Sequence, residues 1–247
     1  MVQTSIPVPD WLTDDGDRMT FADFLEYDDG KDTKYELVRG FLQKMPTATM
    51  LHVAICQFLL HTFRDICSDK ELGLLAGCDV SVRTEDKTGR IPDVVVNTVN
   101  HWQAAGDRQG GAAFHHGETP ALVVEVVSTN WKDDYLLKHG EYAYIGIPEY
   151  WIVDPKRELI RICTQMAGED GYAHQDFKPG DTIKSVLFPQ LNLTVDKIFE
   201  PILVEEMLQA DKEKQSELQQ ELAAEKRRSQ QLETLLREKG ISLDELA

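Results

Sequence analysis

Residues 121–128 constrain the fold of this chain more than any other stretch. They read Ala-Leu-Val-Val-Glu-Val-Val-Ser, an apolar and β-branched run of the kind that forms a buried strand, with a carboxylate at its centre. A buried carboxylate without a partner is costly, so Glu125 has to be protonated, ion-paired or bound to a metal. The run Ile91-Pro92-Asp93-Val94-Val95-Val96 poses the same problem, with Asp93 at a strand entrance. Tyr35-Glu36-Leu37-Val38 adds Glu36, a third acid in a strand-like setting. Acids that lead or interrupt such runs point to one shared cation.

Around these acids the sequence pattern supplies a mixed α/β scaffold. Thr20 caps a short helix with Asp23 in its favourable first turn. Two short strands over residues 35–45 join at Arg39-Gly40, where glycine permits positive φ. Val53, Cys56, Leu60, Phe63 and Cys67 recur at helical spacing, and Ile55, Leu59 and Ile66 widen the stripe. This predicts a nearly buried packing helix over residues 49–69, with His52 on its first turn facing either solvent or the acids. Residues 74–83 and 91–96 are expected to pair antiparallel, with Asp79 a further candidate near the acids. The glycine-rich stretch 106–117 reads as an exposed loop. Its adjacent His115 and His116 point to opposite faces of an extended segment and make poor co-ligands.

After the central strand, Ser128-Thr129-Asn130 can cap a helix over residues 131–145, stopped by Gly146. Residues 149–154 and 159–163 form a hairpin through Asp154-Pro155-Lys156-Arg157, and shorter strands follow over 172–188. The strand, helix, strand order of 121–154 favours a parallel crossover and the hairpins favour antiparallel neighbours. A mixed β-sheet flanked by helices is therefore expected.

The length of 247 residues and a hydrophobic content of 42% fit one domain with an appendage. The expected divisions are a loose arm at 1–17, the α/β domain at 18–200 and a helical extension at 201–247. In that extension Leu218, Leu222, Leu232, Leu235 and Leu236 give an interrupted heptad pattern. It suits a coiled coil in a homo-oligomer, a lone solvated helix, or a helix folded back on the body. Cys56, Cys67, Cys78 and Cys163 have neither zinc-type pairing nor a disulfide framework and read as reduced core residues. Neither a membrane span nor a secretion signal is expected, which leaves the cytoplasm as the default location. The net charge of −17, from 26 basic and 43 acidic residues, counts against broad attraction to phosphate backbones. A bound cation inverts that sign locally.

Glu36, Asp93 and Glu125, on three different strands, offer oxygen ligands to a hard cation such as Mg²⁺ or Mn²⁺. Such an ion acidifies a water and neutralises charge on a phosphate, which is the chemistry of phosphodiester hydrolysis. Lys138 can add a second positive donor, and can help proton transfer if its surroundings lower its pKa.

Ile91-Pro92-Asp93 followed by Glu125-Val126-Val127 resembles the PD-(D/E)XK nuclease signature with its last position altered. Three longer blocks are Tyr35-Glu36-Leu37-Val38-Arg39-Gly40, residues 122–128 and residues 146–154. Together they resemble the Uma-two family of restriction endonucleases, a domain of unknown function, over residues 18 to 200. The resemblance implies a restriction-endonuclease-like core, a divalent-metal site at Glu36, Asp93 and Glu125, and DNA as the substrate. The superfamily's lysine stands two residues after the Glu, where this chain has Val127. Family members instead place a lysine on the following helix, four residues before a tyrosine, and Lys138 with Tyr142 matches that arrangement. Relatives also carry acids on both sides of the Gly in the first hairpin, where this chain has Arg39 and Phe41.

Two functions stay open on this reading. One is a Mg²⁺-dependent endonuclease, assembled as a homo-oligomer, with a dimer suited to a double-strand cut. The other is a catalytically inactive nuclease-like module whose acidic tail helix recruits a protein partner. For the second, Glu36 and Asp93 would be solvated strand-edge acids, and Glu125 would sit in a structural ion pair with Lys138 or an arginine. Lys132, Asp133 and Asp134 read as a solvated first turn, and Trp131, Tyr135 and Tyr142 as core rather than base-stacking residues.

Overall fold

The computed structural model describes residues 18–31, 33–166, 171–201 and 204–238; the expected arm at 1–17 lies outside them. The chain divides into two units, Met1–Pro201 and Ile202–Ala247. The first begins with α1 (Phe21–Glu26), whose amino end carries a full capping box. The Thr20 hydroxyl accepts the Asp23 N–H, and the Asp23 carboxylate accepts the Thr20 N–H. The expected hairpin follows as β1 (Tyr35–Val38) and β2 (Phe41–Lys44), turning through Arg39 and Gly40, both at positive φ. Thr49 then caps α2 (Met50–Cys67), which buries Ile55, Phe58, Leu59 and Phe63. Phe63 packs edge-on against Trp151 at 5.3 Å.

Residues 74–83 do not form one strand. Asp79 sits at φ 57, a left-handed conformation that Asp tolerates better than most residues, and it breaks the segment. One half becomes β3 (Leu74–Gly77), which pairs antiparallel with β6 (Val94–Thr98) as expected. The other half, β4 (Ser81–Glu85), turns back into β5 (Thr88–Arg90) and belongs to a different sheet. The expected mixed sheet is thus joined by a second. Asp79 itself is exposed and pairs with Lys34 at 2.6 Å, so it does not join the other acids.

The first sheet has the order β2-β1-β5-β4-β7, with β7 (Ala113–Phe114) parallel to β4. α3 (Val99–Gly106) precedes β7. The second sheet has the order β11-β10-β9-β8-β6-β3. Its strands include β8 (Leu122–Val126), β9 (Glu149–Asp154), β10 (Leu159–Gln165) and β11 (Tyr172–Phe177), and only β8 and β9 run parallel. Between those two strands lie a π-helical segment, Asp133–Lys138, and α4 (His139–Tyr144), ended by Gly146 at φ 78. The wider π winding was not legible from the helical pattern. Beyond β11 the expected strands reduce to a single bridge between Thr182 and Thr194, followed by α5 (Val195–Phe199).

The second unit contains α6 (Val204–Glu238), along which Leu218, Leu222 and Leu232 are exposed. No helix among the described residues is long and apolar enough to cross a membrane.

Val127, the position where the superfamily pattern has its lysine, is buried in an apolar cluster with Val123, Tyr142, Tyr150 and Ile152. A lysine there would bury its ammonium among these side chains. Val127→Lys is expected to lower stability by about 3 kcal/mol or more, measured by urea unfolding. A loss within experimental error would contradict this packing.

Candidate active site

Alternation along β8 puts Val123, Glu125 and Val127 on one face. Glu125 is only 4% exposed between two core valines. Its Oε1 accepts the Tyr142 hydroxyl at 2.7 Å, and its Oε2 lies 2.9 Å from the Lys138 Nζ. The cation beside Glu125 therefore comes from the helix after the strand. The same Nζ lies 3.1 Å from Oε1 of Glu36, which β1 carries in the other sheet, and 3.8 Å from the Asp134 carboxylate. One ammonium thus joins acids from both sheets.

Asp93 immediately precedes β6. The β6–β8 register pairs Val94 with Val124, and its continuation sets Asp93 across from Glu125. Asp93 Oδ2 accepts the Val126 N–H at 2.7 Å, and Oδ1 is bonded to His52 Nε2 at 3.0 Å. Of the two orientations open to His52, it takes the one facing the acids. Cys56 lies one turn further along α2, and ligand atoms of His52, Cys56 and Asp93 fall within 4.8 Å of one another.

Sequence reasoning missed Arg90. This fully buried β5 residue makes two 2.7 Å contacts with Glu141, from Nε and Nη2. Its Nη1 reaches Glu36 at 3.1 Å and Asp133 at 3.5 Å. Asp133 and Asp134 were read as a solvated first turn, yet they are 6% and 7% exposed because the π-helical segment turns both toward these cations. The available signal was the density of acids over residues 125–141, more than Lys138 alone can balance. Trp131 also departs from its expected core placement. It is 40% exposed, with the Arg157 guanidinium over its ring at 4.9 Å. Tyr142 is core as read, and the loop residue His116 lies outside the cluster, 3.4 Å from Asp86.

Glu36, Glu125, Asp133, Asp134 and Glu141 thus surround two cations, Arg90 and Lys138. Burial alone would depress the Lys138 pKa, but Glu125, Glu36 and Asp134 outweigh it and hold the ammonium well above its ordinary value. The lowered pKa considered for Lys138 is not found, and the side chain acts as a fixed positive charge. Burial also works against ionised Glu36, but Lys138, Arg90 and the Ile91 N–H bring it below the usual carboxylate range. Burial drives Glu125 well above that range, reinforced by Asp93, Asp134 and Glu36. Burial pushes Asp134 up to about 7. Asp133 Oδ1 is buried without a hydrogen-bond partner among the described residues. The cluster thus carries a surplus of acid over cation and one unpartnered carboxylate oxygen, whereas the group of three donors within mutual reach of one ion, among the described residues, is His52, Cys56 and Asp93.

These shifts give stability a pH dependence. Asp134 holds its proton up to about 7 in the folded chain, against an ordinary 3.8, so the folded state binds more protons between these values. Stability then falls as pH rises through that window. His52 works in the same direction. Burial lowers its pKa, but the hydrogen bond and charge of Asp93 raise it above 6.5, so its contribution is lost as pH rises through the folded value. Chelator-treated protein should melt at a higher temperature near about pH 5 than near about pH 8, and Asp134→Asn should reduce the difference, leaving the share that Glu125 carries in the same direction. A melting temperature that climbs over this interval would contradict the assignment. Arg90→Met, which strands the acids around it, should cost about 3–5 kcal/mol in denaturant unfolding.

The Uma2 family, described as "Putative restriction endonuclease", matches residues 21–196. Among solved structures, the chain is similar to a crystal structure described as a putative nuclease belonging to DUF820, from Anabaena variabilis ATCC 29413. The TM-score is 0.60 at 16% identity, covering 74% of this chain and 98% of that one. At this identity the likeness establishes a shared fold. No curated protein matches. β1, β6, β8 and the segment bearing Lys138 all lie within the matched span, and the chain belongs to the Uma2 family.

Proposed function

We propose that this protein is a divalent-metal-dependent endonuclease that hydrolyses DNA phosphodiester bonds. Glu36, Asp93 and Glu125 hold the ion, and Lys138 is the catalytic cation beside it. The observation that carries this reading is the meeting of Glu36 and Glu125, from two sheets, on one lysine, with Asp93 across from Glu125. When bound, Mg²⁺ or Mn²⁺ supplies Lewis-acid neutralisation of the phosphate and acidifies the attacking water. Lys138 keeps its proton and donates to a phosphate oxygen as charge accumulates there. Tyr142 fixes one oxygen of Glu125 and leaves the other toward Lys138. Arg90 and His52 are positioning residues, the first for Glu36 and the second for Asp93.

A small face of arginines stacked on aromatic rings supports the approach of nucleic acid to an acidic protein. Arg157, paired with Asp154, lies over Trp131 and Tyr135, and Arg161, paired with Asp176, lies over Tyr135; the two rings flank Asp133 and Asp134 in the sequence. Trp131 offers an exposed ring for base stacking. The four free cysteines support a reducing, cytoplasmic setting. Leu218 and Leu222, spaced i, i+4 on α6, support helix pairing with a second copy, which suits a two-strand cut.

One observation favours the alternative of an inactive module that acts through its tail on another protein. Lys138 already neutralises Glu36 and Glu125 as a buried ion pair with no ion required.

Cleavage of duplex and single-stranded DNA, with RNA alongside, should separate these readings. Activity is expected with Mg²⁺ or Mn²⁺ and not with chelator. Lys138→Met should lower the rate by about 10²–10³, and Asp93→Ala and Glu125→Ala should abolish metal-dependent cutting. Cleavage that survives both acid substitutions would reject the reading. Sedimentation of the full chain and of one ending at Pro201 should show loss of the oligomer with the tail; an unchanged assembly state would reject the coiled coil.

A further inference from the structure

We infer that His52, Cys56 and Asp93 form a mixed nitrogen, sulfur and oxygen seat for a borderline transition-metal ion of the Zn²⁺ class. Its ligand chemistry differs from that of the carboxylates around Lys138, and the two share only Asp93. The inference goes beyond the hydrolytic reading and does not depend on it.

The seat is built from two rigid supports. On one side, Thr49 caps α2 by accepting the His52 N–H at 3.2 Å, which fixes the first turn. His52 and Cys56 stand four residues apart and so share a helix face, above Ile55 and Leu59, which are wholly buried. On the other side, Asp93 is tied to β8 through the Val126 N–H at 2.7 Å, which limits the swing of its carboxylate. The three donor atoms lie within 4.8 Å of one another, and each residue is partly buried.

The chemistry of the donors selects the ion. Imidazole and thiolate suit Zn²⁺ and its neighbours, whereas Mg²⁺ prefers oxygen alone. Three protein ligands are also the number found in zinc sites that keep an open position. In the ion-free chain the ligands satisfy one another, with His52 Nε2 bonded to Asp93 Oδ1 at 3.0 Å. A metal ion would stand in place of the proton in that bond, and the Cys56 thiol would release its own proton to solvent on binding.

The test uses the full chain, stripped with chelator and titrated with Co²⁺ as an optical probe. A thiolate-to-cobalt charge-transfer band is expected, displaced by Zn²⁺, lost in Cys56→Ser and kept in Cys78→Ser. Zn²⁺ affinity should fall by at least about tenfold in Cys56→Ser and in His52→Gln, since the loss of an outer-shell partner alone reaches that size. No thiolate band in the parent, or a band that persists in Cys56→Ser, would overturn the proposal. A second measurement needs no variant: alkylation of Cys56, followed by peptide mass spectrometry, should slow at least about tenfold with Zn²⁺ and remain unchanged with Mg²⁺. Equal rates with and without Zn²⁺ would overturn it as well. A failure of Mg²⁺-dependent DNA cleavage would leave these readouts untouched, so the two proposals fail separately.

Discussion

The ammonium of Lys138, lodged between a carboxylate from each sheet, is the interaction on which the rest of the domain depends. Removing an ammonium and two carboxylates from water costs several kcal/mol per ion, and their mutual attraction repays this only with close geometry. Contacts of 2.9 and 3.1 Å, with Tyr142 on the other oxygen of Glu125 and Arg90 on the other oxygen of Glu36, meet that condition. Such a group adds little net stability compared with apolar packing, and its larger effect is on which arrangement of the sheets is allowed. A shift that moved β1 relative to β8 would leave a buried charge without its partner. Arg90 repeats the device from β5, reaching Glu36 in its own sheet and Asp133 and Glu141 on the helical segments. Between them the two cations bind both sheets to the crossover between β8 and β9.

Local pattern made much of the fold legible. The period of α2, the turn at Arg39-Gly40 and the strand, helix, strand order around β8 are all encoded within short windows, where periodicity and turn chemistry act. The incongruity of Glu125 was visible for the same reason, since a carboxylate within an apolar run violates local consistency. The second sheet was not visible because it hinges on one backbone conformation, at Asp79, that composition does not reveal. Arg90 was missed because its partners lie 51 to 54 residues away in sequence at Glu141 and Glu36, and periodicity assigns a face without naming who stands opposite. Asp133 and Asp134 were misread because acids at a helix start need no further explanation. The π winding that turns them inward leaves no mark in the hydrophobic pattern.

Lys138 also bears on the net charge. The acids Glu125, Glu36 and Asp134 around it hold the ammonium well above its ordinary value, so it cannot serve as the proton acceptor in the proposed hydrolysis, and activation of water then falls to the ion. Holding that ion requires more carboxylate than the buried cations neutralise, and Glu36, Glu125, Asp133, Asp134 and Glu141 around two cations supply the excess. The same excess contributes to the charge of −17 that weighs against nucleic acid as a partner. The conflict eases with distance. Long-range repulsion from exposed acids is screened beyond about 8 Å at physiological ionic strength. Inside the cluster, where screening is weak, a bound divalent ion would offset most of the excess negative charge. On the proposed reading, acidic composition weighs less against phosphate binding once a cation is bound in the cluster.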